Sequence, residues 1–389
     1  MGLGQLVRRG ISRLGSAAAS LAIVFVVATG AQAQNKLLDE AVEFMGALLF
    51  LETKVPALVL GVVRGGETAV AGFGKARPDA DGPPDRNTLL RIGSITKVFT
   101  GAVLASLVAD RVENFTDPLQ QRLGWDVKIP SKEGKHIRLI DLVTHASGLP
   151  REIERARSPR DDPFRSLTKE AFVRNLQGDA LLFAPGTGAL YSNFAFDLLA
   201  QALANAAGRS YEDLLRERVL KPAGLAATTF APGAERLGRL MPGHDFDGTP
   251  LPNVPTAAMM VGSGGLYSTA DDILRWIAWH LDRFSTENAE MRLLDHAAYL
   301  HRDSLRPVFG LDEVGRMDAI GLGWVIMEPK DGRPLILQKA GGLQGTFSYM
   351  AFAPAHRIGV FVAINQFNLG AAKKMAEVAN ELIDTLSPR

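Results

Sequence analysis

The chain has 389 residues, a formal net charge of +1 and no cysteine. This length suggests about two domains, or one large domain with an insertion, and it is ample for a buried core. The balanced charge gives no reason to expect binding to nucleic acid or a polybasic membrane surface. Without cysteine the chain has no disulfide, no thiolate metal site and no lipoprotein anchor.

The N-terminus has the three parts of a secretory signal peptide. Three arginines between residues 8 and 13 form a positive region, an apolar run covers 16–29, and Ala31-Gln32-Ala33 is a small-x-small cleavage site. We therefore predict that residues 1–33 are removed and that the mature protein resides in the periplasm. The apolar run is short for a spanning helix, which needs about 20 residues. A retained N-terminal anchor, or peripheral association with the inner membrane, stays open.

Hydrophobic spacing predicts the helices and strands that follow. The predicted helices cover 36–54, 98–108, 140–145, 168–176, 193–207, 211–220, 271–281 and 371–386. The predicted strands cover 57–63, 68–74, 88–93, 264–268, 322–328, 335–339, 346–353 and 359–365. The first two strands form a hairpin across Gly65-Gly66, and the last four form an antiparallel meander.

This order predicts an α+β fold. An antiparallel sheet is made from both ends of the chain, the terminal helices flank it, and a mainly helical region is inserted. We place the sheet part at about 34–115 and 250–389 and the helical part at about 116–249, within one domain that spans 34–389. An active site between two such regions is the default expectation.

The segment Ser94-Ile95-Thr96-Lys97 lies where an apolar strand ends and a helix begins. Three residues apart on a helix, Ser94 and Lys97 point to the same face, so a neutral lysine amine there could accept the serine proton. The pKa of a free lysine is about 10.4, and burial or a neighbouring cation would have to lower it. The alternative role of Ser94 is a helix N-cap. The same pattern recurs at Ser166-Leu167-Thr168-Lys169, where Ser166 or Thr168 is better interpreted as an N-cap.

The segment Tyr191-Ser192-Asn193 is the only Tyr-x-Asn in the chain and follows a turn-rich stretch. A tyrosine phenolate stabilised by ammonium groups can act as general acid or base, and an asparagine can hold a substrate amide or the base itself. The alternative is structural, with Asn193 capping the following helix and Tyr191 packing on its first turn.

The segment Lys339-Ala340-Gly341-Gly342 lies at the end of a predicted apolar strand. Its glycine pair would let a ligand backbone approach closely. Other Lys-x-Gly matches, at 132–134 and 330–332, lie in polar turns. The alternative role of Lys339 is a charge that guards a strand edge against aggregation.

Other catalytic patterns are missing from the sequence. The seven histidines form no tight ligand set, and His145 is interpreted as a structural histidine. No Gly-x-Ser-x-Gly elbow exists, which argues against an α/β-hydrolase triad. No phosphate loop is present, and we expect neither a metal nor a cofactor.

Taken in order, Ser94-x-x-Lys97, Tyr191-x-Asn193 and Lys339-x-Gly341 resemble the three motifs of the penicillin-recognising serine enzymes. The Tyr-x-Asn form resembles the class C β-lactamase branch of that family. Further segments resemble its D-alanyl-D-alanine carboxypeptidase/endopeptidase members, and these are 91–97, 144–152, 191–199, 262–269 and 321–324. The likeness runs from about residue 40 to 385 and implies a β-lactamase/transpeptidase-like fold.

The resemblance implies a DD-peptidase that acts on peptidoglycan muropeptides and takes β-lactams as substrate mimics. It implies that Ser94 attacks a D-Ala carbonyl to form an acyl-enzyme and that Lys97 and Tyr191 move the proton. Asn193 would orient Lys97 and the substrate amide. Lys339 would direct positive charge toward Tyr191 and the substrate carboxylate.

The resemblance also implies the groups that hold the substrate. The backbone N–H groups of Ser94 and Gly342 would form the oxyanion hole, and Ala340 and Gly341 would line the substrate.

One position departs from the family pattern, because Ala340 replaces a usual Thr or Ser whose hydroxyl helps to bind a carboxylate. A hydrogen bond to a charged group is worth roughly 1.5–3 kcal/mol, or about 10- to 100-fold. We therefore expect weaker carboxypeptidase activity and relatively better endopeptidase or esterase activity, unless Thr346 or Ser348 compensates. Two alternatives stay open: an esterase or β-lactamase on the same fold, and a non-catalytic cell-wall-binding protein with a decayed site.

Overall fold

The computed structural model describes residues 36–79, 82–159, 161–178 and 181–387. The predicted signal peptide, residues 1–33, lies outside the described residues. Within the described ranges, no helix is long and apolar enough to cross a membrane.

Eleven helices are labelled in chain order within these ranges. They are α1 (36–53), α2 (Thr96–Ala109), α3 (Leu119–Arg122), α4 (Leu139–Val143), α5 (Lys169–Gln177), α6 (Asn193–Ala207), α7 (Tyr211–Leu215), α8 (Ala234–Leu237), α9 (Ala270–Leu281), α10 (Ala289–His296) and α11 (Leu369–Leu386). The strands are β1 (Ala57–Arg64), β2 (Glu67–Gly74), β3 (Leu90–Arg91), β4 (Ser131–Lys132), β5 (Lys135–His136), β6 (Ala189–Leu190), β7 (Tyr267–Ser268), β8 (Leu300–His301), β9 (Val308–Phe309), β10 (Ala319–Ile320), β11 (Val325–Met327), β12 (Ile336–Leu343), β13 (Thr346–Ala353) and β14 (Ile358–Ile364).

The main sheet has eight antiparallel strands in the order β2-β1-β14-β13-β12-β11-β10-β8. Strand β1, the first along the chain, pairs with β14, the last along the chain, so that Leu58 lies opposite Ile364. Both faces of β1 and β14 are buried, because α9 packs on one side and α1 and α11 pack on the other. This is why both strands are nearly continuous apolar runs instead of alternating ones. The α+β fold with an antiparallel sheet and flanking terminal helices is confirmed.

Close backbone contact fixes the start of α2 against the sheet. The 3₁₀ turn Gly93–Ile95 leads into α2 and packs on β12 and β13. Gly93 has φ +51°, and a Cβ there would lie 2.6 Å from the nitrogen of Gly342. A side chain at Gly93 would push the turn away from β12. Two segments about 250 residues apart in sequence thereby meet at one point.

Most predicted elements are confirmed, including the hairpin β1–β2, the C-terminal meander and the cap at Thr168, whose side chain accepts from Ala171 N. Asn193 as a helix cap is wrong, because Ser192 is the N-cap of α6 and accepts from Ala195 N. The expectation that the strand ends at Lys339 is also wrong. It continues to Leu343, because the glycine pair remains hydrogen-bonded to β13.

Some elements were not predicted. Neither α10 nor several two-residue strands were expected, and the predicted helix 211–220 changes to a π-helical turn after Leu215. A two-residue strand is too short to carry an alternating pattern.

Candidate active site

Ser94 and Lys97 meet at the start of α2. Lys97 Nζ lies 3.2 Å from Ser94 Oγ, as the three-residue helical spacing predicts. The N-cap of α2 is Ile95, and no side chain caps the helix, so the alternative role of Ser94 as its N-cap is wrong. Lys97 is fully buried. Burial of a lysine is costly unless its charge is paired or its amine is neutral.

The partners of Lys97 define which way its amine faces. Besides Ser94 Oγ, Nζ lies 2.6 Å from Asn193 Oδ1 and 2.7 Å from the carbonyl oxygen of Ser263. Both of these oxygens can only accept hydrogen bonds. A neutral amine would give its two hydrogens to them and would keep its lone pair for the serine hydroxyl. The geometry is therefore that of a general base aimed at Ser94.

The charge environment supports a neutral amine. Burial lowers the pKa of Lys97 well below its usual value, and the neighbouring Lys339 lowers it further. Asp197 and Glu152 act in the opposite direction. Desolvation and a second cation are the two effects that a lysine base requires.

Glu152 fixes the orientation of the Asn193 amide. Asn193 Nδ2 donates a hydrogen bond to Glu152 Oε1, which leaves Oδ1 as the acceptor for Lys97. A carboxylate can only accept when ionised, so this pairing selects one of the two amide orientations.

The Tyr191 ring lies among three basic side chains. Lys97 Nζ, Lys339 Nζ and the Arg151 guanidinium lie 4.8, 4.9 and 4.7 Å from its centroid. Burial raises the pKa of Tyr191 above its usual value and outweighs Ser94 and Arg151, which act to lower it. Tyr191 is thus a neutral phenol near pH 7. The sequence interpretation of a phenolate is not supported.

His145 and Ser192 hold this segment in place. The backbone N–H of Ser192 donates to His145 Nδ1 at 3.0 Å, and the N–H of Leu190 donates to the carbonyl of His145 at 2.9 Å. The imidazole also stacks on the Tyr191 ring at 4.6 Å. Burial, followed by the nearby lysines, lowers the pKa of His145 well below its usual value, so it remains a neutral acceptor. His145 is structural, as predicted, but it supports the site directly.

Lys339 is buried on β12, facing Tyr191. Burial lowers its pKa to about 7, Glu313 opposes this shift and Arg151 adds to it. Its positive charge is therefore only partly present at neutral pH, and an anionic ligand would favour it.

The main-chain groups expected to form the oxyanion hole lie close together. A Cβ at Gly341 would be 3.0 Å from Ser94 N, and one at Gly93 would be 2.6 Å from Gly342 N. Only glycines allow the strand and the turn to approach this closely.

The hydroxyls near Ala340 are already engaged. Thr346 Oγ1 donates to the carbonyl of Leu343 at 2.7 Å and lies 3.1 Å from the carbonyl oxygen of Arg91, and Ser348 Oγ donates to the carbonyl of Ile92 at 3.0 Å. A hydroxyl has one proton to give. Neither side chain has a spare donor, so the contacts argue against compensation for Ala340.

One cavity opens beside the nucleophile and has a volume of about 630 Å³. It is lined by Ser94, Tyr191, Lys339, Ala340, Gly341 and Gly342, together with residues of the loop 310–314, β11, β13 and α11. Lys97 and Asn193 do not line it. The cavity therefore lies on the Tyr191 side of Ser94.

Sequence analysis missed three residues that support this arrangement. Asp197 accepts hydrogen bonds from Ser263 Oγ and from the N–H groups of Gly262 and Ser263, and so fixes the carbonyl that binds Lys97. Glu152 and Ser263 itself are the other two. All three lie in segments already singled out, 144–152, 191–199 and 262–269. Asp197 is four residues beyond Asn193, on the same face of α6.

One group of described residues has donor atoms close enough for a metal, namely His280, Asp295 and His296. It lies beside Trp324 and Phe352, and no residue of the catalytic cluster belongs to it. His280 Nδ1 and His296 Nε2 are 2.9 Å apart and are hydrogen-bonded to each other.

The chain is similar in sequence to known proteins. A sequence model of the β-lactamase family matches residues 35–383. The D-alanyl-D-alanine-carboxypeptidase/endopeptidase AmpH of Escherichia coli K12 is 36% identical over 341 residues, which is 87% of each chain.

Solved structures agree in fold. A β-lactamase/D-alanine carboxypeptidase from Yersinia pestis, complexed with citrate, superposes with a TM-score of 0.81 at 34% identity, covering 90% of this chain and 98% of that one. A class C β-lactamase gives a TM-score of 0.75 at 18% identity, over 92% and 98% of the two chains. At this lower identity the likeness concerns the fold alone.

Proposed function

Because the chain belongs to the β-lactamase family, we propose that it is a serine DD-peptidase which cleaves peptidoglycan stem peptides and cross-links through a Ser94 acyl-enzyme. In this proposal it acts as a carboxypeptidase and endopeptidase, and β-lactams acylate the same serine. One observation carries the chemistry: Lys97 Nζ lies within hydrogen-bond distance of Asn193 Oδ1, the Ser263 carbonyl oxygen and Ser94 Oγ, so a neutral amine that donates to the first two keeps its lone pair for Ser94. The likeness to the D-alanyl-D-alanine-carboxypeptidase/endopeptidase over 87% of the chain supports the substrate class.

The proposed acylation begins when Lys97 takes the Ser94 proton and Ser94 Oγ bonds to the D-Ala carbonyl carbon. The backbone N–H groups of Ser94 and Gly342 stabilise the negative oxygen. Tyr191, a neutral phenol that lines the same cavity as Ser94 and lies beside Lys97, gives its proton to the departing amine and is reprotonated from Lys97. Water then attacks the ester with the same groups in reverse order, and the acyl group leaves with Ser94 restored.

Asn193 and Lys339 act through position and charge. Asn193 Oδ1 accepts from the Lys97 amine, Nδ2 donates one hydrogen to Glu152, and the second Nδ2 hydrogen is left for the substrate amide. Lys339 lies over the Tyr191 ring and attracts an anionic substrate. The bound anion in turn raises the protonated fraction of Lys339. Ala340 and Gly341 line the substrate strand, and the missing hydroxyl at 340 favours substrates without a terminal carboxylate.

The test is intact-mass spectrometry of the mature chain mixed with a penicillin, beside a Ser94→Ala control. We expect a mass increase equal to one penicillin in the wild type and none in Ser94→Ala. Product analysis on muropeptides follows, with released D-Ala reporting carboxypeptidase activity and resolved dimers reporting endopeptidase activity. Absence of both adduct and products would refute the proposal.

A β-lactamase or esterase is the second candidate. The match to the β-lactamase family model favours a β-lactamase, and Ala340 favours an esterase, whose substrate needs no carboxylate contact. Adduct lifetime separates the candidates, because a peptidase retains the penicilloyl group whereas a β-lactamase loses it rapidly and accumulates hydrolysed drug. The assembled contacts around Lys97 argue against a non-catalytic wall-binding protein.

The location is part of the proposal. We infer cleavage after residue 33, residence in the periplasm and peripheral contact with the inner membrane. Support for the last comes from α1, whose Leu37, Phe44, Leu48 and Leu51 form an exposed apolar stripe. Sedimentation with anionic vesicles tests the membrane contact, and the double variant Phe44→Ser/Leu51→Ser is expected to remain in the supernatant.

The division of the chain into a sheet part at 34–115 and 250–389 and a helical part at 116–249 remains a proposal.

A further inference from the structure

Gln338 is a buried amide without a partner among the residues that the structure describes. It lies on β12, one residue before Lys339, and only 1% of it is exposed. Within this part of the chain, neither its Nε2 nor its Oε1 has a hydrogen-bond partner. A buried amide left unpaired costs a full desolvation penalty, so each such group requires an explanation. Gln338 also lines the cavity beside Ser94, which makes a ligand the natural partner.

The cavity around Gln338 has mostly apolar walls. They are formed by Val314, Val325, Tyr349 and Met375, and the Tyr349 hydroxyl is already bonded to Asn380. Gln338 is therefore the free amide of this wall. An amide offers a donor and an acceptor together, so the ligand group that satisfies both is another amide.

The position of the cavity indicates which part of the substrate enters it. Ser94 and Tyr191 line it, whereas Lys97 and Asn193 do not. In the proposed mechanism Tyr191 protonates the departing amine. The cavity thus begins where the leaving group departs.

The distance excludes a single alanine as the group that reaches Gln338. Gly341 lies next to Ser94 N, and Gln338 is three residues away along β12. At about 3.3 Å per residue this is roughly 10 Å. One alanine spans only about 3.5 Å. A volume of about 630 Å³ lies within the usual range for sites that enclose whole ligands.

We propose that this cavity is a subsite for the leaving group of cross-linked stem peptides and that Gln338 binds a peptide amide of that group. The inference rests on the peptidase function proposed above and makes it more specific: the subsite favours endopeptidase over carboxypeptidase turnover. The charges at the rim agree, because Arg151, Lys339 and Lys373 face one acid, Glu313. A cross-linked leaving group carries carboxylates that such a rim attracts.

Gln338→Met tests the inference, since methionine keeps the length and removes the amide. The substrates are a cross-linked muropeptide dimer and a pentapeptide monomer ending in D-Ala-D-Ala, which share the acyl side. We expect kcat/KM for the dimer to fall about 10-fold more than kcat/KM for the monomer. Gln344→Met, at the end of β12 and outside the cavity, is the matched control and should change neither value.

Two other outcomes would contradict the proposed subsite. Equal losses on dimer and monomer, or no loss on either, would overturn the subsite while leaving the peptidase intact. Ser94-dependent hydrolysis of p-nitrophenyl acetate without cleavage of either peptide would overturn the peptidase function and the subsite together. Gln338→Glu, which keeps the size but exchanges the N–H donor for a carboxylate, should repeat the selective loss if Met alters packing.

Discussion

The contact between β12 and the Ser94 turn can be tested by adding one carbon. In Gly341→Ala the new Cβ would lie 2.0 Å from the carbonyl oxygen of Ile92, 2.9 Å from Ser348 Oγ and 3.0 Å from Ser94 N. Ordinary contact begins at 3.4 Å, so the turn and the strand must separate by about 1.4 Å. A displacement of about 1 Å at a reacting centre costs roughly 100-fold in rate. That corresponds to about 2.7 kcal/mol of transition-state stabilisation.

The assay is the second-order rate of penicillin acylation, followed by intact mass, together with the melting temperature. Overpacking typically costs about 1–3 kcal/mol, so the rate is compared at a temperature where the variant is folded. Gly233→Ala is the control, because a Cβ at this exposed position meets no atom within 4 Å. If folded Gly341→Ala acylates within about threefold of the wild-type rate, the reasoning on close approach is refuted.

Three further predictions concern charge and the third motif. The pKa of Lys339 is lowered to about 7, so kcat/KM for an anionic substrate should fall as pH rises through 7. Lys339→Arg should move this fall in the pH profile of kcat/KM to higher pH. A fall that stays at the same pH would contradict the assignment to Lys339. Ala340→Thr should raise kcat/KM on a D-Ala-D-Ala peptide roughly 10- to 100-fold by restoring a donor to the carboxylate, and steady-state kinetics showing no gain would remove the explanation. Burial raises the pKa of Asp295 to about 8, so its protonated form contributes stability at acid pH that is lost as pH rises through 8. Urea unfolding at pH 5 to 9 should show a flatter profile for Asp295→Asn, and identical profiles would contradict this.

The fold was largely predictable because its strands are long and apolar. Strands β1, β13 and β14 are buried on one or both faces, so the apolar runs gave their bounds to within one or two residues. The π-helical turn after Leu215 and the strand pair β6–β9 depend on tertiary contacts and leave no periodic signal.

The structure brings the predicted site residues together, whereas their electrostatics could not be predicted from the sequence. The three-residue spacing predicted that Ser94 and Lys97 share one face, whereas only the family resemblance predicted that Tyr191 joins them. The protonation state of Tyr191 was misjudged, because burial depends on residues packed from several segments. The pairing of Glu152 with Asn193 was not foreseen, because 41 residues separate them along the chain.

The pairing of β1 with β14 has a consequence for the order in which the protein acquires activity. Leu58 pairs with Ile364, roughly 300 residues later in the chain. Gly93 likewise contacts the distant Gly342. A polypeptide emerging from the ribosome, or from a translocation channel, cannot close the sheet centre until its last strand is free. Folding should therefore be slow and late, as expected for contacts so distant in sequence. Chains truncated before residue 358 should have no nucleophile in place, so hydrolysis begins only when synthesis is complete.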